Sequence, residues 1–247
     1  MTFTPRPHDL LWLNNANALL TVEEAWVATQ WHPGLPVVVR RDVNENHDIA
    51  VGVRGMKREQ RAAGWVKAEA VSRVVTPEAL TERERLLHSP FVSQPPVQAA
   101  ILLTTFAWPW LWGITGSTGY ALASEIPVLH ADSDLDLLIR APMPLSEEEL
   151  RQWQAQVAKL PCRADTQIET PFGAFALNEW LRDGRVLLKT SRGARLTHTP
   201  WHREEARKFS LPFPVRETSV RVCSASSLTV RRSSPRPAAY SARSSSP

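Results

Sequence analysis

Residues 113–140 read GITGSTGYALASEIPVLHADSDLDLLIR, and this stretch decides the fold of the second half of the chain. It ends with Ser133-Asp134-Leu135-Asp136 running into Leu137, Leu138 and Ile139. Alternate side chains of an extended strand share a face, so Asp134 and Asp136 point one way and Leu135 and Leu137 the other. Two carboxylates held a few ångströms apart repel each other unless a cation lies between them. The apolar continuation predicts a strand that enters a core with the two acids at its mouth, where they could hold a divalent metal. Upstream, Gly116-Ser117-Thr118-Gly119 precedes Tyr120-Ala121-Leu122-Ala123, which has the composition of a first helical turn. A Gly-rich turn into a helix N-terminus aims backbone N–H groups and the helix dipole at one point and favours an anion there. An Asp-x-Asp on a strand edge is by itself compatible with a solvated face. The ordered combination of phosphate turn and acid strand points to phosphoryl or nucleotidyl transfer.

Outward from this stretch, Ser146 and Glu149 form a capping box. The helix behind it places Leu150, Trp153, Val157 and Leu160 on one face and stops at Pro161. Residues 164–169 (ADTQIE) alternate as a strand, with Asp165, Gln167 and Glu169 on one face. A short helix over 175–181 and a strand over 185–190 are expected next. Toward the N-terminus, Pro95-Pro96 opens a buried helix over 97–107, and Thr76-Pro77 opens another running to about His88. Residues 9–13, 36–41 and 49–55 are short apolar or alternating runs that read as strands.

The expected fold class is therefore α+β. Residues 1–90 are read as a small mixed, β-rich domain and residues 91–209 as a catalytic α/β domain with a short mixed sheet. Residues 210–247 hold eleven Ser, five Pro and six Arg with no sustained periodicity, and are read as a disordered basic tail. The tail also explains the net charge of +4: without it the chain is nearly neutral, which argues against a nucleic-acid partner. Hydrophobic residues make up 43% of the chain and ten are Trp, enough for a bulky core. Two cysteines give no disulfide framework. No apolar run approaches the ~20 residues of a membrane span, and the first residues carry no secretory pattern. A cytoplasmic protein without a membrane partner is expected.

The Gly-Ser turn followed by Asp-x-Asp on a strand resembles the nucleotidyltransferase superfamily, although the spacer between Ser117 and Asp134 is longer than is usual there. The wording GSTGYALAS with SDLDLLIRAP, together with RPHDLLWL, VVVRR, VGVRG and the segment from DTQIET to GAFALNEW, is similar to one branch. These are the phosphoribosyl-dephospho-CoA transferases of malonate decarboxylase, also called holo-acyl-carrier-protein synthases. The resemblance implies a nucleotidyltransferase-like catalytic domain and transfer from triphosphoribosyl-dephospho-CoA to a serine of the acyl carrier protein subunit, releasing diphosphate. It implies Mg2+ or Mn2+ at Asp134 and Asp136, joined by a third acid on the next strand. Asp165 is in the right order for that role, and Glu169 on the same face competes with it. Gly116 and Ser117 would hold the departing diphosphate. Arg54, Arg58 and Arg61 suit a triphosphate clamp, because guanidinium forks match phosphate oxygens; the last two share a face if the segment is helical. His8 is assigned no role. The alternative within enzymes is a nucleotidyltransferase that adenylylates another protein or a small molecule; a nucleotide-binding or interaction module without turnover is the alternative outside them.

Overall fold

A computed structural model describes residues 4–57 and 59–203. Arg58 and the segment 210–247 lie outside the described residues. Two sheets organise the rest, so the α+β expectation holds.

The first sheet is antiparallel and contains β1 (Leu10–Leu13), β2 (Val37–Val39), β3 (Ile49–Arg54), β4 (Arg61–Val66) and β5 (Val71–Val75), in the order β4-β3-β2-β1-β5. Strand β1 reads LLWL without a polar residue because both of its faces are covered. Leu11 and Leu13 join Val37, Val39, Val51 and Val53 in one apolar cluster, whereas Leu10 and Trp12 join the core of the second sheet. A four-residue helix, α1 (Val27–Gln30), closes the first cluster through Val27.

The expected helix over 76–88 is broken. Thr76 does cap it, accepting from the Ala79 N–H, but only a 3-10 turn follows over Pro77–Thr81. Glu82 is extended (φ −62°, ψ 119°), and α2 (Arg83–Leu87) starts afresh. Pro77 and Glu78 lie directly on the backbone of Gly113, where a Cβ would stand 2.5 Å from Pro77 Cβ. Helix α3 (Pro95–Leu103) has prolines in its first turn, as expected from Pro95-Pro96, and is buried over most of its length, but it ends at Leu103 and not at the expected 107.

The second sheet is mixed, with β6 (Leu111–Thr115), β7 (Leu135–Arg140), β8 (Ala164–Thr170), β9 (Gly173–Ala176), β10 (Val186–Thr190) and β11 (Gly193–Thr197). Its order is β11-β10-β9-β8-β7-β6, and only β7 and β8 run parallel. Helix α4 (Gly116–Ser124) follows β6 without a break, and α5 (Glu147–Val157) crosses between the parallel strands, capped by Ser146. Trp153 of α5 is fully buried and meets Trp108, Trp110 and Trp112 edge-on at 4.8, 6.2 and 5.7 Å. The helix expected over 175–181 starts later, as α6 (Leu177–Asp183). Phe175 instead sits in β9 opposite Ile168, because Phe172-Gly173 closes a hairpin with β8. Among the described residues, no helix is long and apolar enough to cross a membrane.

Candidate active site

Helix α4 begins at Gly116, and the reason lies across the turn in β7. Gly116 has φ +63°, and a Cβ there would stand 1.9 Å from Asp136 Oδ2. The carboxylate thus occupies the space that any side chain would need. The same turn fixes the acid strand through its carbonyls. Thr115 Oγ1 donates to Asp136 O and Thr118 Oγ1 to Asp134 O, both at 3.3 Å. With the main chain tied, both carboxylates line one cavity of about 730 Å3.

The basic lining of that cavity comes from the first sheet and the residues flanking its strands. Arg40, Arg54 and Arg61 line it together with His8. Arg54 Nη1 donates to Ser117 Oγ at 2.9 Å, and its guanidinium lies 5.4 Å from the ring centre of Tyr120 in α4. Burial pushes the Tyr120 hydroxyl above its ordinary pKa, against the pull of Arg54 and Arg61. Arg40 is braced on Val51 O and on Asp42. The cavity therefore pairs an acidic edge with a guanidinium wall, and the N-terminus of α4 lies between them.

Asp134, Asp136, Gly116, Ser117, Arg54 and Arg61 meet at this cavity. Arg61 does so from a strand and not from a helix: it opens β4 paired with Arg54 of β3, and Gly55 N–H donates to Gln60 O beside that pair. Asp165 stands on the same rung as Asp136 in the parallel ladder, hence on the same face. It does not line the cavity, and its carboxylate accepts from Arg163 Nη2 at 3.1 Å. Glu169 is committed elsewhere, bonded to Arg41 and 3.5 Å from Arg140 Nη1. Burial raises its pKa in spite of the two arginines.

Around Arg140, 8% exposed, three cations and three acids are balanced. Arg140 bonds Glu78 at 2.9 Å and the fully buried Asp9 at 3.4 Å, Arg6 bonds Glu78, and Arg41 bonds Glu169. This cluster ties the segment before β1 to β7 and β8. Sequence reasoning missed it, and it left Arg40 and His8 without a role in the site. The adjacent Arg40-Arg41 pair ending an apolar run was the available signal, since such a run places its charges at a strand end.

The donor set offered to a metal is a pair of hard carboxylates. No group of three or more His, Cys, Asp or Glu side chains is placed to hold an ion among the described residues. Two carboxylates nevertheless suit Mg2+ or Mn2+, which take one or two protein carboxylates and complete their shell with phosphate oxygens and water. The close seat of Asp136 over Gly116 holds one of that pair in place.

The chain matches two family models, described as the phosphoribosyl-dephospho-CoA transferase MdcG N-terminal domain over residues 6–77 and its C-terminal domain over residues 84–200. It is 75% identical over 205 residues to a phosphoribosyl-dephospho-CoA transferase of Klebsiella pneumoniae (strain 342), covering 83% of this chain and 100% of that one. Relatives of the same name from Azotobacter vinelandii (strain DJ / ATCC BAA-1303) and Pseudomonas fluorescens (strain Pf0-1) are 44% and 40% identical, over 80% and 83% of this chain and 94% and 98% of theirs. No solved structure matches. Matches of this extent, across both sheets and through the Gly116–Asp136 turn, place the chain in the phosphoribosyl-dephospho-CoA transferase family.

Proposed function

We propose that this chain moves the phosphoribosyl-dephospho-CoA group from triphosphoribosyl-dephospho-CoA onto a serine of the acyl carrier protein subunit of malonate decarboxylase and releases diphosphate. The observation that carries this reading is the single cavity in which Asp134 and Asp136 face Arg54, Arg61 and the Gly116-Ser117 turn. A polyphosphate needs donors and cations along its length, and the guanidinium wall with the α4 N-terminus provides them. The reacting phosphorus needs an acidic edge nearby that can accept a metal and a proton.

In the proposed reaction the serine oxygen bonds to the phosphorus nearest the ribose, the bond from that phosphorus to the bridging oxygen breaks, and diphosphate departs with that oxygen. The hydroxyl proton passes to the acidic edge. Arg54 orients Ser117, and both face the leaving phosphates. A divalent ion held by Asp134 and Asp136, when bound, would offset charge on the phosphate oxygens. Asp165 enters this proposal as the outer carboxylate of the same rung, next to Asp136 but anchored to Arg163. A nucleotidyltransferase-like arrangement of β6, α4, β7 and β8 is part of the same reading.

Incubation with the donor, the apo carrier subunit and Mg2+ tests it by intact mass. The expected result is a gain equal to one phosphoribosyl-dephospho-CoA group. A gain of one adenylyl group from ATP instead, with none from the donor, would overturn it in favour of an adenylyltransferase.

A further inference from the structure

His8 lines the same cavity as the two acids. Its backbone is left-handed (φ +74°), a conformation that costs a non-glycine residue energy unless its surroundings impose it. Here they do. The His8 N–H donates to Val39 O at 2.9 Å, and the Asp9 N–H donates back to Arg6 O at 3.0 Å. The loop therefore fixes the imidazole over the cavity.

One ring nitrogen is already engaged. Arg41 Nη1 lies 3.5 Å from His8 Nε2. A guanidinium can only donate, so a bond across this contact requires Nε2 to accept, which favours the tautomer with the ring proton on Nδ1. Arg41 is in turn held by Glu169, which Arg140 also approaches. Nδ1 makes no hydrogen bond with the described residues. A second line agrees: burial, then Arg41, Arg140 and Lys189, lower the pKa of His8 to about 3, so the ring is uncharged at neutral pH.

We propose that His8 is a binding residue of the transfer site, donating an uncharged hydrogen bond from Nδ1 to a phosphate oxygen of the donor, with Arg41 and Glu169 acting behind it as positioning residues. The assignment rests on the polyphosphate reading of the cavity. It also excludes a tempting alternative. A histidine beside a site of hydroxyl attack invites the role of general base, but this one turns its Nε2 toward the Arg41 guanidinium. Its N–H is instead a directional contact that stays the same across the neutral pH range, among arginines that already supply the charge.

Two substitutions tolerate the backbone at this position: His8→Gly removes the ring, and His8→Asn keeps a side-chain N–H near Nδ1. Titration calorimetry of the full-length chain with inorganic tripolyphosphate reads the contact without catalysis. We expect His8→Gly to weaken binding about tenfold and His8→Asn to recover most of that loss. Nitrogen-15 shifts of the wild-type ring report the tautomer independently of any variant, and protonation on Nδ1 alone is expected at pH 7. Equal binding by wild type and His8→Gly, equal loss in both variants, or a ring protonated on Nε2 would overturn the assignment and leave the proposed transfer standing. Failure of the wild-type chain to bind tripolyphosphate would overturn the polyphosphate reading itself.

Discussion

At the scale of single residues, the site depends on the space that Gly116 leaves. Any Cβ there would have to move Asp136 by at least about 1 Å, from 1.9 Å to an ordinary contact, and displacements of that size cost about a hundredfold in catalysis. Gly116→Ala is therefore expected to lose about two decades of single-turnover rate, while the left-handed φ costs the fold only about 1 kcal/mol. A variant melting near wild type with full activity would contradict this. His8 gives a second residue-scale expectation, in stability against pH. Its pKa is depressed in the fold, from 6.5 to about 3, so the unfolded chain binds the extra proton between those values. Stability should fall as pH drops through that window, by at most about 1.4 kcal/mol per unit from this group. His8→Asn should remove that component, with Arg41, Arg140 and Lys189 still in place. Melting curves of wild type and variant that run parallel from pH 7 to pH 4 would refute it.

At the scale of elements, the turn and the acid strand were legible because their meaning is local. A glycine before a helix and two acids alternating into an apolar run carry the same implication in any sheet. Strands β4, β5, β6 and β11 were not read, since each is only five or six residues long and lacks the β-branched alternation of β3. Phe175 was assigned to a helix because a four-residue apolar run has no period of its own; the β8–β9 hairpin decides it. The parallel pairing of β7 and β8 sets the next expectation. Asp165 shares a rung with Asp136 but is held by Arg163 and lies off the cavity. Asp165→Asn should therefore slow transfer by roughly tenfold, as an orienting group would. A loss as large as that of the cavity acids would make it a direct ligand.

For the whole molecule, the basic wall and the acidic edge come from different sheets, so anything that fixes one sheet against the other also shapes the site. The cluster of Arg140, Asp9, Glu78, Glu169, Arg41 and Arg6 does this. Its pairings could not be read from sequence, because Arg140 and Asp9 are 131 positions apart and each looks like an ordinary strand-end charge. Breaking a buried ion cluster leaves uncompensated charge, so Arg140→Met should destabilise the fold by about 3–5 kcal/mol, measured by chemical denaturation; a loss below about 1 kcal/mol would show that the cluster does not hold the sheets. The central claim is that Asp134 and Asp136 are working acids and not a solvated strand face. Single-turnover transfer to the carrier subunit by Asp134→Asn and Asp136→Asn, with thermal melts beside it, tests that most directly. Both variants are expected to fold and to transfer at rates down by roughly three decades or more; two folded variants that load the carrier at near wild-type rates would contradict the role of the acids.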